Sequence, residues 1–180
     1  LTQIRLARRL VADPARVDAE LASAEEVARE GMNQARDAVM QLRYSPVRDD
    51  GLSEALRRMV KRLRDRVDIA ATVTVDDRAA SLADRTTEAV FRIVEEAVRN
   101  VEKHAEARSV AIEARVVTRE DGDHLAVEVV DDGVGFDPEE TRHGHFGLVG
   151  VREQADLAGA RLDIASRPGA GTRVRVEVLL

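Results

Sequence analysis

The chain has 180 residues, of which 44% are hydrophobic and 34% charged, and its net charge is −6. At roughly 150 residues per domain this is one domain plus a remainder. No apolar run approaches the ~20 residues of a membrane-spanning helix, and the absence of cysteine excludes disulfides and thiolate metal sites. An acidic balance with 2% aromatics argues against a nucleic-acid partner. The chain opens on Leu1 rather than methionine, which points to a piece of a longer protein.

Leu1 to Ala12 places Ile4, Ala7 and Val11 on one helical face, and Asp13-Pro14 closes that helix. From there to Arg43, apolar residues fall at Val17, Leu21, Ala24, Ala28, Met32, Ala35, Val39 and Leu42, a nearly heptad seam. A helical hairpin with so narrow a seam cannot close a core alone. Pairing with a second copy as a four-helix bundle would bury it; packing on its own globular domain is the alternative. Residues 1–46 are thus expected to form a hairpin that makes a homodimer, and residues 47–180 a second domain.

Ser45-Pro46 ends the hairpin, and the polar stretch Val47 to Gly51 reads as a linker. Leu52, Leu56, Met59, Leu63 and Val67 predict a helix, and Ile69 to Val75 alternates as a strand. Asp84 is placed to cap a helix from about Thr86 to His104, with Val90, Ile93, Val94, Ala97 and Val101 inward. Val110, Ile112, Ala114 and Val116 predict one strand, and Leu125, Val127 and Val129 the next, with a turn at Arg119 to Gly122. Of the eleven glycines, only Gly31 and Gly51 precede residue 122. The glycine-rich stretch from Gly133 to Gly150 leads into a short helix ending near Gly159. Two last strands then carry Leu162 and Ile164, and Val174, Val176 and Val178. Helices on one face of a mixed sheet predict an α+β fold, a two-layer α/β sandwich.

Four clusters carry chemistry. On a regular helix, Glu96, Asn100 and Lys103 lie within about 60° of one another. An amide oxygen, a carboxylate and an ammonium on one edge can hold Mg²⁺, orient a reacting group and neutralise phosphate; a solvated helix face gives the same spacing. In Asp131-Asp132-Gly133-Val134-Gly135, Asp131 shares strand parity with Leu125, Val127 and Val129 and so points inward. A buried carboxylate needs a donor, which the exocyclic amine of adenine would supply, with Gly133 and Gly135 letting the backbone approach a ring; an ordinary Asp-Gly turn is the alternative. Gly144-His-Phe-Gly147-Leu148-Val-Gly150 enters a helix, where unobstructed amides suit an anion. His143 and His145 lack a third metal ligand and read as lid residues. Lastly, Gly169-Ala-Gly171-Thr172 opens the final strand, with Thr172 on the core side; by itself this is a turn with a glycine pair.

In this order the clusters resemble the Bergerat-type (GHKL) ATP-binding fold of histidine kinases, gyrase, Hsp90-like chaperones and MutL-like proteins, over about Leu52 to Leu180. Glu96-x-x-x-Asn100 with Lys103-His104 resembles its N box, Asp131-x-Gly133-x-Gly135 its G1 box, Gly147-x-x-Gly150 its G2 box and Gly169-x-Gly171-Thr172 its closing motif. The hairpin resembles the dimerisation and phosphoacceptor domain of sensor histidine kinases. Phe146-Gly-Leu-Val-Gly-Val-Arg-Glu153 is similar to the nitrate-sensor and lipid-thermosensor subclass, with Val151 in place of a methionine and Phe146 in place of a histidine.

The resemblance implies an ATP- and Mg²⁺-dependent protein histidine kinase of a two-component system. It assigns Asn100 to Mg²⁺ and Asp131 to adenine. Lys103 and the Gly147 helix start go to phosphates, and Glu96 to proton or water handling near the γ-phosphate. His104, Gly133, Gly135, Leu148, Gly150 and Thr172 complete the expected ATP site. The acceptor histidine is expected upstream of Leu1, because none of His104, His124, His143 and His145 sits on the hairpin; the chain alone is then not expected to phosphorylate itself. A response-regulator receiver domain is the implied partner. The implied setting is cytoplasmic, within a parent that is membrane-anchored or carries an upstream sensor. A gyrase-like ATPase clamp, a serine kinase and an ATP-dependent interaction module are the alternatives; the clamp lacks a transducer domain after Leu180.

Overall fold

A computed structural model describes residues 45–137 and 146–180; the hairpin seam, His143 and His145 lie outside the described residues. Ser45 to Leu180 is one compact unit.

Its first helix, α1 (Pro46–Arg66), begins as its sequence dictates. The Ser45 hydroxyl accepts from the Arg48 amide at 3.3 Å, Pro46 occupies the first turn, and Arg64 and Arg66 sit in the last. Leu52, Leu56, Met59 and Leu63 fall one turn apart and are buried. The stretch expected to be a linker is instead the first turn of this helix. Val47 is fully buried, and the backbone breaks direction at Gly51 (φ 80°, ψ 163°) before the helix resumes. A lone apolar residue among charges gave no sign of this, because its burial depends on that break.

Strand β1 (Ala70–Val75) is followed by a turn of helix, α2 (Asp77–Ala80), that sequence spacing did not indicate. Asp76 holds both neighbours in place, accepting from the Ala79 amide at 2.7 Å and the Val116 amide at 2.9 Å. Helix α3 (Arg85–Asn100) starts where its cap predicts: the Asp84 carboxylate accepts from the Thr87 amide and hydroxyl, each at 2.9 Å. Its inward face carries Val90, Phe91, Ile93, Val94 and Ala97, all buried.

Strands β2 (Ser109–Arg119), β3 (Gly122–Asp131), β4 (Arg161–Ser166) and β5 (Thr172–Leu179), with helix α4 (Phe146–Leu157) before β4, complete the unit. The sheet order is β1-β2-β3-β5-β4; β1 runs parallel to β2 and every other pair is antiparallel. The parallel pair needs a crossover, which α2 and α3 provide. Val110, Ile112 and Ala114 on β2 alternate with exposed Ala111, Glu113 and Arg115. Together with Leu125, Val127, Val129, Val176 and Val178 they join α1 and α3 in one core. This is the expected α+β architecture, a mixed five-stranded sheet with helices. Among the described residues no helix is long and apolar enough to cross a membrane.

Candidate nucleotide site

The site gathers where the C-terminal end of α3 meets the end of β3. Glu96 and Asn100 are one helical turn apart and both half-buried, with the Glu96 carboxylate 3.5 Å from the Arg99 guanidinium. Beyond Asn100 the helix widens into a π turn, Val101–Ala105, and Glu106 (φ 51°) stops it in a left-handed conformation. Lys103 and His104 therefore sit on this wider turn, both exposed. The regular spacing that put Lys103 beside Asn100 does not hold there. Wide turns of this kind recur at functional sites, and nothing in the residue types marks one in advance.

The π turn ends against the loop that follows β3. The Val134 amide donates to the Ala105 carbonyl at 2.7 Å. A Cβ on Gly133 would collide with that carbonyl oxygen and lie 2.8 Å from the Ala105 side chain. Gly135 adopts φ 60° with the Arg167 carbonyl where a side chain would begin. Both glycines thus have a reason inside the protein: two backbones approach too closely for any side chain between them.

Asp131 ends β3 and is buried, as its parity predicted. Its carboxylate accepts from the Gly133 amide at 2.9 Å and from the Thr172 amide. The donor expected from a ligand amine is thus already present within the protein. Two backbone amides supply it, and a carboxylate with about four acceptor positions retains capacity for a ligand amine. Burial pushes this carboxyl above the usual aspartate range, the charge of Asp132 adds to the rise, and the two amides oppose it.

Asp132 faces the other way. It accepts from the Arg108 and Ser109 amides at 2.8 Å and the Ser109 hydroxyl at 2.9 Å, which hold its carboxyl below the ordinary range. It thereby ties the segment after the π turn to the end of β3. Sequence reasoning passed over it, as it did Ser166, whose hydroxyl lies 2.9 Å from the Phe136 amide and 3.0 Å from the Thr172 hydroxyl. In each case the partner's identity is set by tertiary structure.

Thr172 pairs directly with Asp131 across β3 and β5. Gly147 and Leu148 lie in the first turn of α4, and Gly150 is half-buried. Buried Val151 and Ala155 anchor this helix, which packs on α3 and β4. The structure thus joins the end of α3 to Gly133, and Gly135, Asp131 and Thr172 to one another through the loops. Lys103 and His104 stand on the exposed side of the π turn. Among the described residues no group of three or more His, Asp or Glu could hold a metal. A cation here would rest on the Asn100 amide oxygen plus oxygens of its ligand and water, the habit of Mg²⁺ accompanying phosphates.

Comparisons with known proteins bear on the family and the fold. Residues 86–180 match the family described as histidine kinase-, DNA gyrase B-, and HSP90-like ATPase. An uncharacterized sensor-like histidine kinase of Chloroflexus aurantiacus is 33% identical over 178 residues, covering 95% of this chain and 29% of that protein. The signal transduction histidine-protein kinase/phosphatase DegS of Brevibacillus brevis is 28% identical, covering 88% of this chain and 40% of the relative. The chain thus spans well under half the length of these curated relatives. Among solved structures, the histidine kinase domain of the Erythrobacter litoralis blue-light activated histidine kinase superposes with a TM-score of 0.55 at 25% identity, over 70% of this chain and 59% of that one. With a family match over more than half its length on the segment that builds this site, the chain belongs to the histidine kinase-, DNA gyrase B- and HSP90-like ATPases.

Proposed function

We propose that the chain is the ATP-binding catalytic part of a two-component sensor histidine kinase. The observation that carries this reading is Asp131: a buried carboxylate at a strand end, paired with Thr172 and facing a loop in which glycine is obligatory. Its acceptor oxygens suit the amino group of adenine. The amides at the start of α4, with Lys103 and His104 from the π turn, suit the phosphates. Asn100 would hold Mg²⁺, which supplies charge neutralisation at the phosphates when bound. Glu96 orients the reacting group or a water beside the γ-phosphate. An acceptor imidazole nitrogen attacks the γ-phosphorus, the bond to the β-γ bridging oxygen breaks, and ADP leaves; positioning and charge do most of this work.

The acceptor histidine is one upstream of Leu1, and the phosphoryl group passes from it to the receiver domain of a response regulator. The dimerisation hairpin is the segment before Ser45, and the catalytic domain is the compact unit Ser45–Leu180, two residues earlier than the expected boundary between residues 46 and 47. The sequence Phe146 to Glu153 supports the nitrate-sensor and lipid-thermosensor subclass, and the cytoplasm as the working compartment follows from the receiver partner.

The test is an autophosphorylation assay with γ-labelled ATP on the 180-residue chain and on one extended upstream through the parent's acceptor helix. The extended protein is expected to form an acid-labile phosphoprotein, while the 180-residue chain binds ATP and stays unlabelled. Acid-stable labelling would instead mark a serine kinase, and strong acid-labile labelling of the 180-residue chain would place the acceptor among its own four histidines.

A further inference from the structure

Asp131, Thr172 and Ser166 form one rung across three strands, Asp131 pairing with Thr172 and Thr172 with Ser166. The Ser166 Oγ stands 2.9 Å from the Phe136 amide nitrogen, 2.9 Å from the Gly171 carbonyl oxygen and 3.0 Å from the Thr172 Oγ1. A serine hydroxyl has one proton and two lone pairs. The Gly171 carbonyl can only accept, so it takes that proton; the Phe136 amide can only donate, so it takes one lone pair. The Thr172 hydroxyl must then donate to the other. If Ser166 instead donated to Thr172, the Gly171 carbonyl would lose this donor.

We propose that Ser166 sets the hydrogen-bond polarity of Thr172, and through it the preference of the site for a purine with an amino group at position 6 over one with a keto group. This rests on the reading of Asp131 and Thr172 as the adenine end of the site. With its proton committed to Ser166, Thr172 offers only lone pairs beside the Asp131 carboxylate, so both side chains accept. A 6-amino group donates to such a pair, whereas a 6-keto oxygen meets acceptors alone. Ser166 is a positioning residue, acting through Thr172 without touching the base.

Calorimetric titration of the 180-residue chain with Mg-ADP and Mg-IDP tests this. The native chain is expected to bind ADP at least about tenfold more tightly than IDP, the scale of one mismatched buried hydrogen bond. Ser166→Ala frees the Thr172 proton and should narrow that ratio about three- to tenfold, while Ser166→Thr, which keeps the hydroxyl, retains it. Should Ser166→Ala fail to fold, Thr172→Val serves instead, and its ratio must narrow likewise. An unchanged ratio in a folded Ser166→Ala chain, with both affinities weakened equally, overturns the polarity argument and leaves Ser166 a merely structural residue. Equal binding of ADP and IDP by the native chain overturns it as well. No ADP binding by the native chain overturns the reading of the site itself.

Discussion

The two ends of the sheet are both dense in hydrogen bonds, but of different kinds. At the end formed by Asp131, Asp132, Ser166 and Thr172, side chains bind main-chain amides and carbonyls: Asp131 to Gly133, Asp132 to Arg108 and Ser109, Ser166 to Phe136 and Gly171. At the opposite end, side chains bind each other: the Arg119 guanidinium with the Glu177 carboxylate, the Arg78 guanidinium with the Asp123 carboxylate, and the His124 ring with the Asp121 carboxylate. Side chains that bind the backbone fix the path of a loop, and a ligand site needs a fixed path. Pairs in which at least one long side chain is open to solvent fix little, since solvent screens their charge and ordering them costs entropy. The same sheet therefore carries a built site at one end and a solvated rim at the other.

The largest effect should come from Gly133→Ala. The added methyl meets the Ala105 backbone, which cannot swing aside as a side chain tip would. Overpacking of this kind costs about 1–3 kcal/mol, and here it displaces the loop that begins after Asp131. Nucleotide affinity is expected to fall beyond calorimetric detection, with a lowered melting midpoint by circular dichroism. Native-like affinity would show that the contact is relieved easily and that the two ends differ less than proposed.

Asp131→Asn comes next. An amide nitrogen in place of a carboxylate oxygen presents a donor where acceptors are wanted, a mismatch of about 1–3 kcal/mol or roughly 5- to 150-fold in affinity. The native residue should also give the site a pH dependence. Burial raises its folded pKa, and protonation removes the acceptor. ADP affinity should thus fall as pH drops through a value above the ordinary ~3.9 of aspartate. In Asp131→Asn that titration should vanish. An acid limb that persists in the variant would assign it to another group.

Much of this was legible in the sequence. The inward position of Asp131 follows from a period of two shared with Leu125, Val127 and Val129, and the start of α3 from Asp84, because both signals are local. What escaped depends on residues far apart in the chain. Asp132 binds amides 23 and 24 residues away, and Ser166 binds one 30 residues away, so neither motif shows its partner. The π turn escaped for another reason: its hydrogen bonds are between backbone groups, and no residue type is reserved for it. Val47 escaped because its burial depends on the direction change at Gly51.

An intermediate effect is expected from Asp84→Ala, which removes a cap without touching the site. Loss of an N-cap costs typically ~1 kcal/mol, or about 2–4 °C in melting midpoint for a chain of this size. ADP affinity measured well below that midpoint should stay within a factor of about two, the scale of a few tenths of a kcal/mol. A larger loss of affinity would mean that α3 transmits strain to Asn100.

The smallest effect belongs to the rim. Arg119 is 44% exposed and Glu177 10% exposed in their side chains. The hydrogen bond from Arg119 holds the Glu177 carboxyl below its usual range, against a smaller opposing effect of burial. A depressed folded pKa contributes stability that is present above the unfolded value, about 4.3 for glutamate, and is lost as pH falls through the folded value. Because the Arg119 guanidinium reaches solvent, that contribution is screened. Arg119→Ala should move the melting midpoint at neutral pH by less than about 2 °C, less still in high salt, and leave ADP affinity unchanged. Below the folded pKa of Glu177 the difference between native and variant chains should disappear, because the glutamate is then neutral in both. A neutral-pH shift as large as that of Asp84→Ala, persisting in salt, would mean that the rim carries structural weight; the contrast would then lie in ligand binding alone and not in how firmly each end is held.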